Sequence, residues 1–372
     1  MMGTYRLGVL KGDGIGPEVV DAALRVLAAA CDGVDDANLR FEHLPVGWEA
    51  IESHGVALPD SSVEALSACD GWILGPHDSQ SYPPEERARL NPSGALRKRF
   101  ALFANLRPAR AYRGLPAVSP RMDLLIVREN TEGFYADRNM VVGSGEFMPT
   151  PNVALMVGLV TREATERIAR MAFRLARSRR RHVSIVHKAN VLRLTTGLFR
   201  DVCREVAREF PDVTCDDYHI DAMTAHLVRR GADFDVIVAG NMFGDILSDL
   251  AGELAGSLGM AGSINAGIDV AMAQAAHGAA PDIAGRGIAN PIGMIQSVVM
   301  LLRWLSERHE DVGPATVADR IERAVDAVLN RGDVRTPDLG GNATTEQLTN
   351  SLVSTISRDK GQATETRRTS KP

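Results

Sequence analysis

In the segment GNMFGDILSDL, Asp245 and Asp249 stand four residues apart. In a helix that spacing puts both carboxylates on one face, one turn apart. Their neighbours Met242, Phe243, Ile246, Leu247 and Leu250 are apolar, and the short apolar run Val236 to Ala239 comes just before them. Carboxylates held so close repel unless a cation lies between them. With Asp221 of YHIDAMTAHL they supply three hard oxygen donors for a divalent ion such as Mg2+ or Mn2+. The same spacing also fits a solvated acidic face.

Arginines form the second group. Arg97 and Arg107 lie in LRKRFALFANLRPAR, and Arg128 opens RENTEGFY after an apolar run. A guanidinium fork pairs bidentately with a carboxylate, so three forks on separate elements suit a di- or tricarboxylate, although each alone also fits a salt bridge. Tyr135 lies seven residues beyond Arg128, and Lys188 directly follows the run VSIVH, where a lysine is partly desolvated. Both side chains are proton carriers of the kind general acid–base chemistry uses.

These groups need elements to place them. Short apolar runs alternate with helical patterns, which predicts an α/β protein. Strands are expected at Tyr5 to Leu10, Gly71 to Leu74, Leu124 to Val127, Val183 to His187 and Val236 to Ala239. Helices are expected from Pro17 to Cys31, Thr161 to Ser178 and Pro314 to Leu329, with a final helix after RTPDLGGNATTEQ. The last three strands end in RENTEGFY, KAN and GNMFGD, and open α/β sheets gather ligands at strand C-termini. The loop KGDGIGP lacks the GxGxxG order, so it reads as a tight strand–helix turn and not as a Rossmann site. HGAAPDIAGRGIANP (His277 to Pro291) is a loop holding one acid among small residues. Asp282 there suits the ribose hydroxyls of NAD and opposes a 2′-phosphate.

The 372 residues suggest two domains, and 45% hydrophobic with 24% charged residues is a soluble globular composition. A net charge of −5 offers no case for nucleic acid. The run Arg179–Arg181 is expected as a solvated helix end. Cys31, Cys69, Cys203 and Cys215 show no metal spacing and are expected as free thiols. MMGTYRLGVL lacks a leader pattern and no stretch is long enough to cross a membrane, so a cytoplasmic chain is expected. From Arg358 to Pro372 apolar residues almost vanish, which predicts a disordered tail.

GDGIGPEV, LRK…LFANLRP, RENTEGFY, HKANVL, DAM, GNMFGDILSDL, HGAAPDIAGRGIANP and RTPDLGGNATT follow one another in the order of the isocitrate/isopropylmalate dehydrogenase family, which the chain resembles from Tyr5 to Leu352. The resemblance implies a non-Rossmann two-domain fold. Its large cofactor-binding domain comprises 1–102 and 255–357. The small domain, 103–254, carries a β arm within Glu132 to Val153 that clasps a second copy. It implies oxidative decarboxylation of a malate-type 2-hydroxy-3-carboxy acid, with NAD and Mg2+ or Mn2+. Arg97, Arg107 and Arg128 would grip the carboxylates and Tyr135 would protonate the enolate. Lys188 and Asp221 would come from the partner of a homodimer, with Asp221, Asp245 and Asp249 holding the metal. Ile15, Asn190, His277, Gly278, Asp282 and Asn290 would line the cofactor. NADP-using relatives carry Lys-Tyr where this chain has Asp282-Ile283.

Two departures stand out. AQAAHGAAP places Gln274 and Ala279 where most relatives have an acid and a hydroxyl residue, and the loop GPHDSQSYPPEE matches no relative closely. Upstream of Arg97, Ser93 and Gly94 replace the paired leucines of isopropylmalate enzymes, and Asn91 with Ser93 resembles the isocitrate pattern in swapped order. A polar third substituent, as in isocitrate, is therefore favoured. 3-Isopropylmalate, homoisocitrate, tartrate and D-malate stay open, as does a non-catalytic regulatory subunit or a carboxylate-binding protein.

Overall fold

The computed structural model describes residues 4–34, 38–135, 139–140 and 143–369, with the side chains of the last helix as far as 358. The chain runs β1 (Thr4–Leu10), α1 (Gly16–Cys31), β2 (Asn38–His43), α2 (Trp48–His54), α3 (Asp60–Ser67), β3 (Gly71–Leu74), α4 (Pro84–Arg87) and α5 (Pro92–Arg99). Its middle contributes β4 (Ala104–Arg110), β5 (Asp123–Glu129), β6 (Glu146–Thr150), β7 (Val153–Met156), α6 (Arg162–Arg177), β8 (His182–His187), α7 (Thr195–Ala207), β9 (Thr214–His219), α8 (Ile220–Arg230), β10 (Val236–Ala239) and α9 (Asn241–Ala255). The last part gives β11 (Ile264–Ala266), β12 (Ala271–Ala273), α10 (Ile292–His309), α11 (Val312–Arg331) and α12 (Thr345–Thr369).

Ten strands form one sheet in the order β2-β1-β3-β12-β11-β4-β5-β10-β8-β9. The first five in that order come from the two ends of the chain and the other five from its middle. Pairing is parallel among β2, β1, β3 and β12 and among β5, β10, β8 and β9. Antiparallel pairings of β11 with β12 and β4, and of β4 with β5, join the two groups. The expected division into 1–102 with 255–357 and 103–254 would fall at the β11–β4 seam.

Parallel strands are covered on both faces and so must be apolar throughout; β3 and β10 are buried along their whole length. In α10, Met294, Val298, Leu301, Leu302 and Leu305 recur at helical spacing and are buried. The expected Thr161-to-Ser178 helix is α6 with its caps: the Thr161 side chain accepts from Ala164 N, and Ser178 closes the other end.

Two expectations need correction. Arg179 is not a solvated helix end: its Nε donates to Asp235 at 2.8 Å and Nη2 to Asp123 at 2.8 Å. Asp235 is only 1% exposed, and a buried carboxylate requires such a partner. The antiparallel ribbon β6–β7 lies later than expected, its second strand starting at Val153. The strand formers Phe147, Val153 and Leu155 set its place, not the polar stretch before them; 136–138 and 141–142 lie outside the described residues. The helix α12 is described to Thr369, with side chains only as far as 358, and 370–372 lie outside the described residues. All four cysteines are free, Cys69 and Cys203 buried.

Candidate active site

At the β11–β4 seam the pairing register aligns Arg128, Asn105 and Asn265 across β5, β4 and β11. Alternate residues of a strand share a face, so Arg107 joins Asn105 and Arg128 on one side. Asn105, fully buried, accepts from Arg107 Nε at 2.7 Å and donates to Ser263 at 2.8 Å. Across this face lies α9. Its Asn241 accepts from Arg128 Nη2 at 2.7 Å and Nε at 3.0 Å, so neither fork is loose.

The carboxylates of α9 meet these forks. Asp245 Oδ1 accepts from Arg128 Nη1 at 2.5 Å and lies 3.0 Å from Arg107 Nη1, which also donates to Asp249 at 3.1 Å. The hydroxyl of Tyr135 donates to the other Asp245 oxygen at 2.7 Å. Burial works against ionisation of Asp245, but Arg128 and Arg107 outweigh it and hold its carboxyl below the usual range. For Asp249 burial prevails over Arg107, and with Asp245 alongside it the carboxyl is pushed up.

α5 forms the opposite wall. Asn91 caps it, its Oδ1 accepting from Gly94 N at 2.8 Å. Ser93 donates to Gln274 Oε1 at 2.8 Å, and Arg97 Nη2 reaches the same oxygen at 3.3 Å. A cavity of about 380 Å3 lies between these walls, and Arg97, Arg107, Arg128, Tyr135 and Asp245 all line it. Asn91, Ser93, His277 and Gly278 line it too, as does His77, from the loop that resembled no relative.

The cofactor candidates surround its rim. Ile15 N donates to Ala279 O at 2.9 Å, tying the KGDGIGP loop to the His277 loop. Gly12 and Gly14 have φ of +73° and +59°, and a Cβ on Gly14 would come within 2.1 Å of Ala279 O. The turn is thus also a docking surface. His277 Nε2 is buried without a hydrogen-bond partner among the described residues, and burial lowers the ring's pKa. Asn290 donates to Asp338 at 2.9 Å, while Asp282 and Asn190 are exposed.

Two predicted catalytic groups do not join this cavity. Lys188 Nζ donates to Asp221 at 2.5 Å, away from the pocket lining, and the Asp221 side chain is 67% exposed. Among the described residues no cluster of three His, Cys, Asp or Glu side chains could hold a metal ion, so Asp221 does not reach Asp245 and Asp249 within one chain. Sequence reasoning missed His77 and the Gln274 bonds. Gln274 was visible only as a departure, and His77 carried no signal apart from the oddity of its loop.

A family model described as isocitrate/isopropylmalate dehydrogenase matches residues 6–353. The chain belongs to the isocitrate/isopropylmalate dehydrogenase family. It is 44% identical over 353 residues to the isocitrate/homoisocitrate dehydrogenase of Thermus thermophilus, covering 95% of this chain and 98% of that one. It is 42% identical over 352 residues to the 3-isopropylmalate dehydrogenase of Archaeoglobus fulgidus, covering 94% and 99%. The solved isocitrate dehydrogenase of Methylococcus capsulatus superposes with a TM-score of 0.84 at 38% identity, over 95% of this chain and 99% of that one. The mixed α/β sheet is therefore this family's fold, and the chain is a dehydrogenase of the family's oxidative-decarboxylation type. No helix among the described residues is long and apolar enough to cross a membrane.

Proposed function

We propose that this dehydrogenase uses NAD+ and Mg2+ or Mn2+ to oxidise and decarboxylate a 2-hydroxy-3-carboxy acid with a polar third substituent, of which isocitrate is the type. The observation that carries the proposal is the cavity in which Arg97, Arg107 and Arg128 converge beside Asp245 and Tyr135. Guanidinium forks fixed by Asn105 and Asn241 hold the carboxylates without a cost in reorganisation.

Asp245 and Asp249 are hard oxygen donors one helical turn apart, which suits either ion. With Asp221 of the partner subunit they would hold it, and the ion would supply polarisation of the 2-hydroxyl and of the enolate oxygen. Lys188 of the partner subunit would accept the hydroxyl proton as hydride leaves the substrate carbon for NAD+. Loss of CO2 from the β-keto acid leaves an enolate, and the Tyr135 hydroxyl, poised on Asp245, would protonate it. Three guanidiniums and a divalent ion against three aspartates leave two positive charges, and three once the Lys188 amine has taken the hydroxyl proton, which suits a tricarboxylate. Gln274, neutral beside Arg97, takes nothing from that balance.

The homodimer is part of the same proposal. The Lys188–Asp221 pair stands outside the cavity, while the ribbon β6–β7 exposes Phe147, Met148, Leu155 and Met156, an apolar surface suited to a second copy. Asp282, exposed in the His277 loop, supports NAD over NADP.

A panel of 2-hydroxy-3-carboxy acids with NAD+ and Mn2+, followed by NADH absorbance and CO2 release, tests the proposal. Equimolar NADH and CO2, fastest with isocitrate or homoisocitrate, is the expected result. Binding of the acids without NADH formation would instead favour a regulatory chain.

A further inference from the structure

We infer that His187 is a positioning residue for Lys188: its neutral ring braces the turn that begins at the lysine and so fixes where the amine is presented. The inference rests on the proton-carrying role proposed above for Lys188.

His187 ends β8 and is 2% exposed. Ala189 N donates to its Nδ1 at 3.0 Å. A backbone N–H can only donate, so Nδ1 keeps its lone pair and the ring proton sits on Nε2. Nε2 lies 2.8 Å from Asp217 Oδ1, to which it therefore donates. The other Asp217 oxygen accepts from Arg204 at 2.6 Å. Burial lowers the pKa of the ring, against the pull of Asp217, which favours this neutral form. The bonded chain Arg204–Asp217–His187 thus runs from α7 through β9 into the backbone one residue past Lys188.

The lysine's own backbone is held as well. Its N donates to Thr196 Oγ1 at 3.1 Å, and its O accepts from Val191 N at 3.1 Å and Leu192 N at 2.9 Å. Ala189 is buried, so without the ring its N–H would meet no water, and the turn would have to shift to pair it. A shift of that kind moves the Lys188 amine, and misplacement by about 1 Å costs about 100-fold in rate. A side chain that accepts from the amide two residues on is also what asparagine offers in a turn, its Oδ1 standing where Nδ1 stands in histidine. Glutamine reaches only the place of Nε2.

The test compares His187→Asn, His187→Gln and His187→Leu with the wild type and with Lys188→Ala. Single-turnover NADH formation from isocitrate, with NAD+ and Mn2+, is followed beside thermal melts. The Gln and Leu variants should lose about 10- to 100-fold in rate, with the isocitrate concentration for half-maximal rate within about threefold of wild type. The Asn variant gives up the Asp217 bond but keeps the Ala189 bond, and should stay within about fivefold of the wild-type rate. Its melting temperature should nevertheless fall like that of the Gln variant, since each has lost one of the ring's two bonds. An Asn variant as slow as Gln, an unchanged rate in the Leu variant, or losses confined to isocitrate or NAD+ affinity would overturn the inference. Lys188→Ala protein as fast as the wild type would refute the lysine's proposed role, and wild-type protein that forms no NADH from isocitrate would refute the proposed function; either result takes this inference with it.

Discussion

Asp245 meets two arginines and a tyrosine in the wall of a cavity, while Asp221 meets a single lysine near the outer edge of the sheet, with two-thirds of its side chain in solvent. Both carboxylates belong to the same proposed metal set, yet their surroundings are opposite. The first region is braced within one chain: Asn105 and Ser248 hold Arg107, Asn241 holds Arg128, and both guanidiniums face Asp245. The second is a pair of chemically active groups with nothing to act on. On the proposal above, the cradle and the proton carrier are two half-sites, which a two-fold dimer would bring together twice.

The comparison breaks most sharply at Asp245. Asp245→Asn removes one negative charge from the cradle and leaves two arginines underneutralised. Activity should fall by about 100- to 1000-fold at moderate Mn2+ and recover partly at high Mn2+, with circular dichroism unchanged. Full activity in excess chelator would show that the cradle needs no ion.

Cofactor choice sharpens the rim of the same region. A 2′-phosphate against Asp282 meets like charge, worth several kcal/mol and hence a preference for NAD of at least about a hundredfold. The double change Asp282→Lys with Ile283→Tyr should weaken or reverse that preference, read as the ratio of the two specificity constants. Equal constants in the unaltered protein would remove Asp282 from the ribose site.

The smallest expected effect concerns the strap that holds Tyr135 in place. Glu132 accepts from Thr161 N and Oγ1 at 2.8 Å each, anchoring the Tyr135 loop to α6. Burial, reinforced by Glu129, raises its carboxyl to about 7 against those bonds. A carboxyl raised on folding contributes stability that is complete below its unfolded value of about 4.5 and is lost as pH rises through 7. Glu132→Gln should therefore match the wild type at pH 4 and exceed it by about 1–2 kcal/mol at pH 8, solvent screening included. Denaturant melts at the two pH values check this, and parallel pH profiles would contradict it.

Much of this architecture was legible in residue patterns. β3 and β10 fall at the expected residues because fully buried parallel strands are apolar throughout. The spacing of Asp245 and Asp249 did place both on one helix, and the three arginines do converge. The seam that brings them together was not legible. β11 has three residues in a run rich in small side chains, and β4 carries Pro108, which argues locally against a central strand. The pairing that joins them spans more than a hundred residues of chain. His77 was hidden for the same reason: its neighbours are fixed by Asp13, 65 residues earlier, through bonds that no local pattern records.

The division into two half-sites is tested most directly by mixing subunits. Tyr135→Phe and Lys188→Ala chains are each expected to be inactive alone, the lysine change costing about 100- to 10,000-fold. After equal mixing and random exchange, half the dimers are mixed, and each of these has one site with neither defect. About a quarter of the wild-type specific activity should return. No recovery, with mixed dimers verified by native mass spectrometry, would contradict the account and place Lys188 and Tyr135 in the same chain's site.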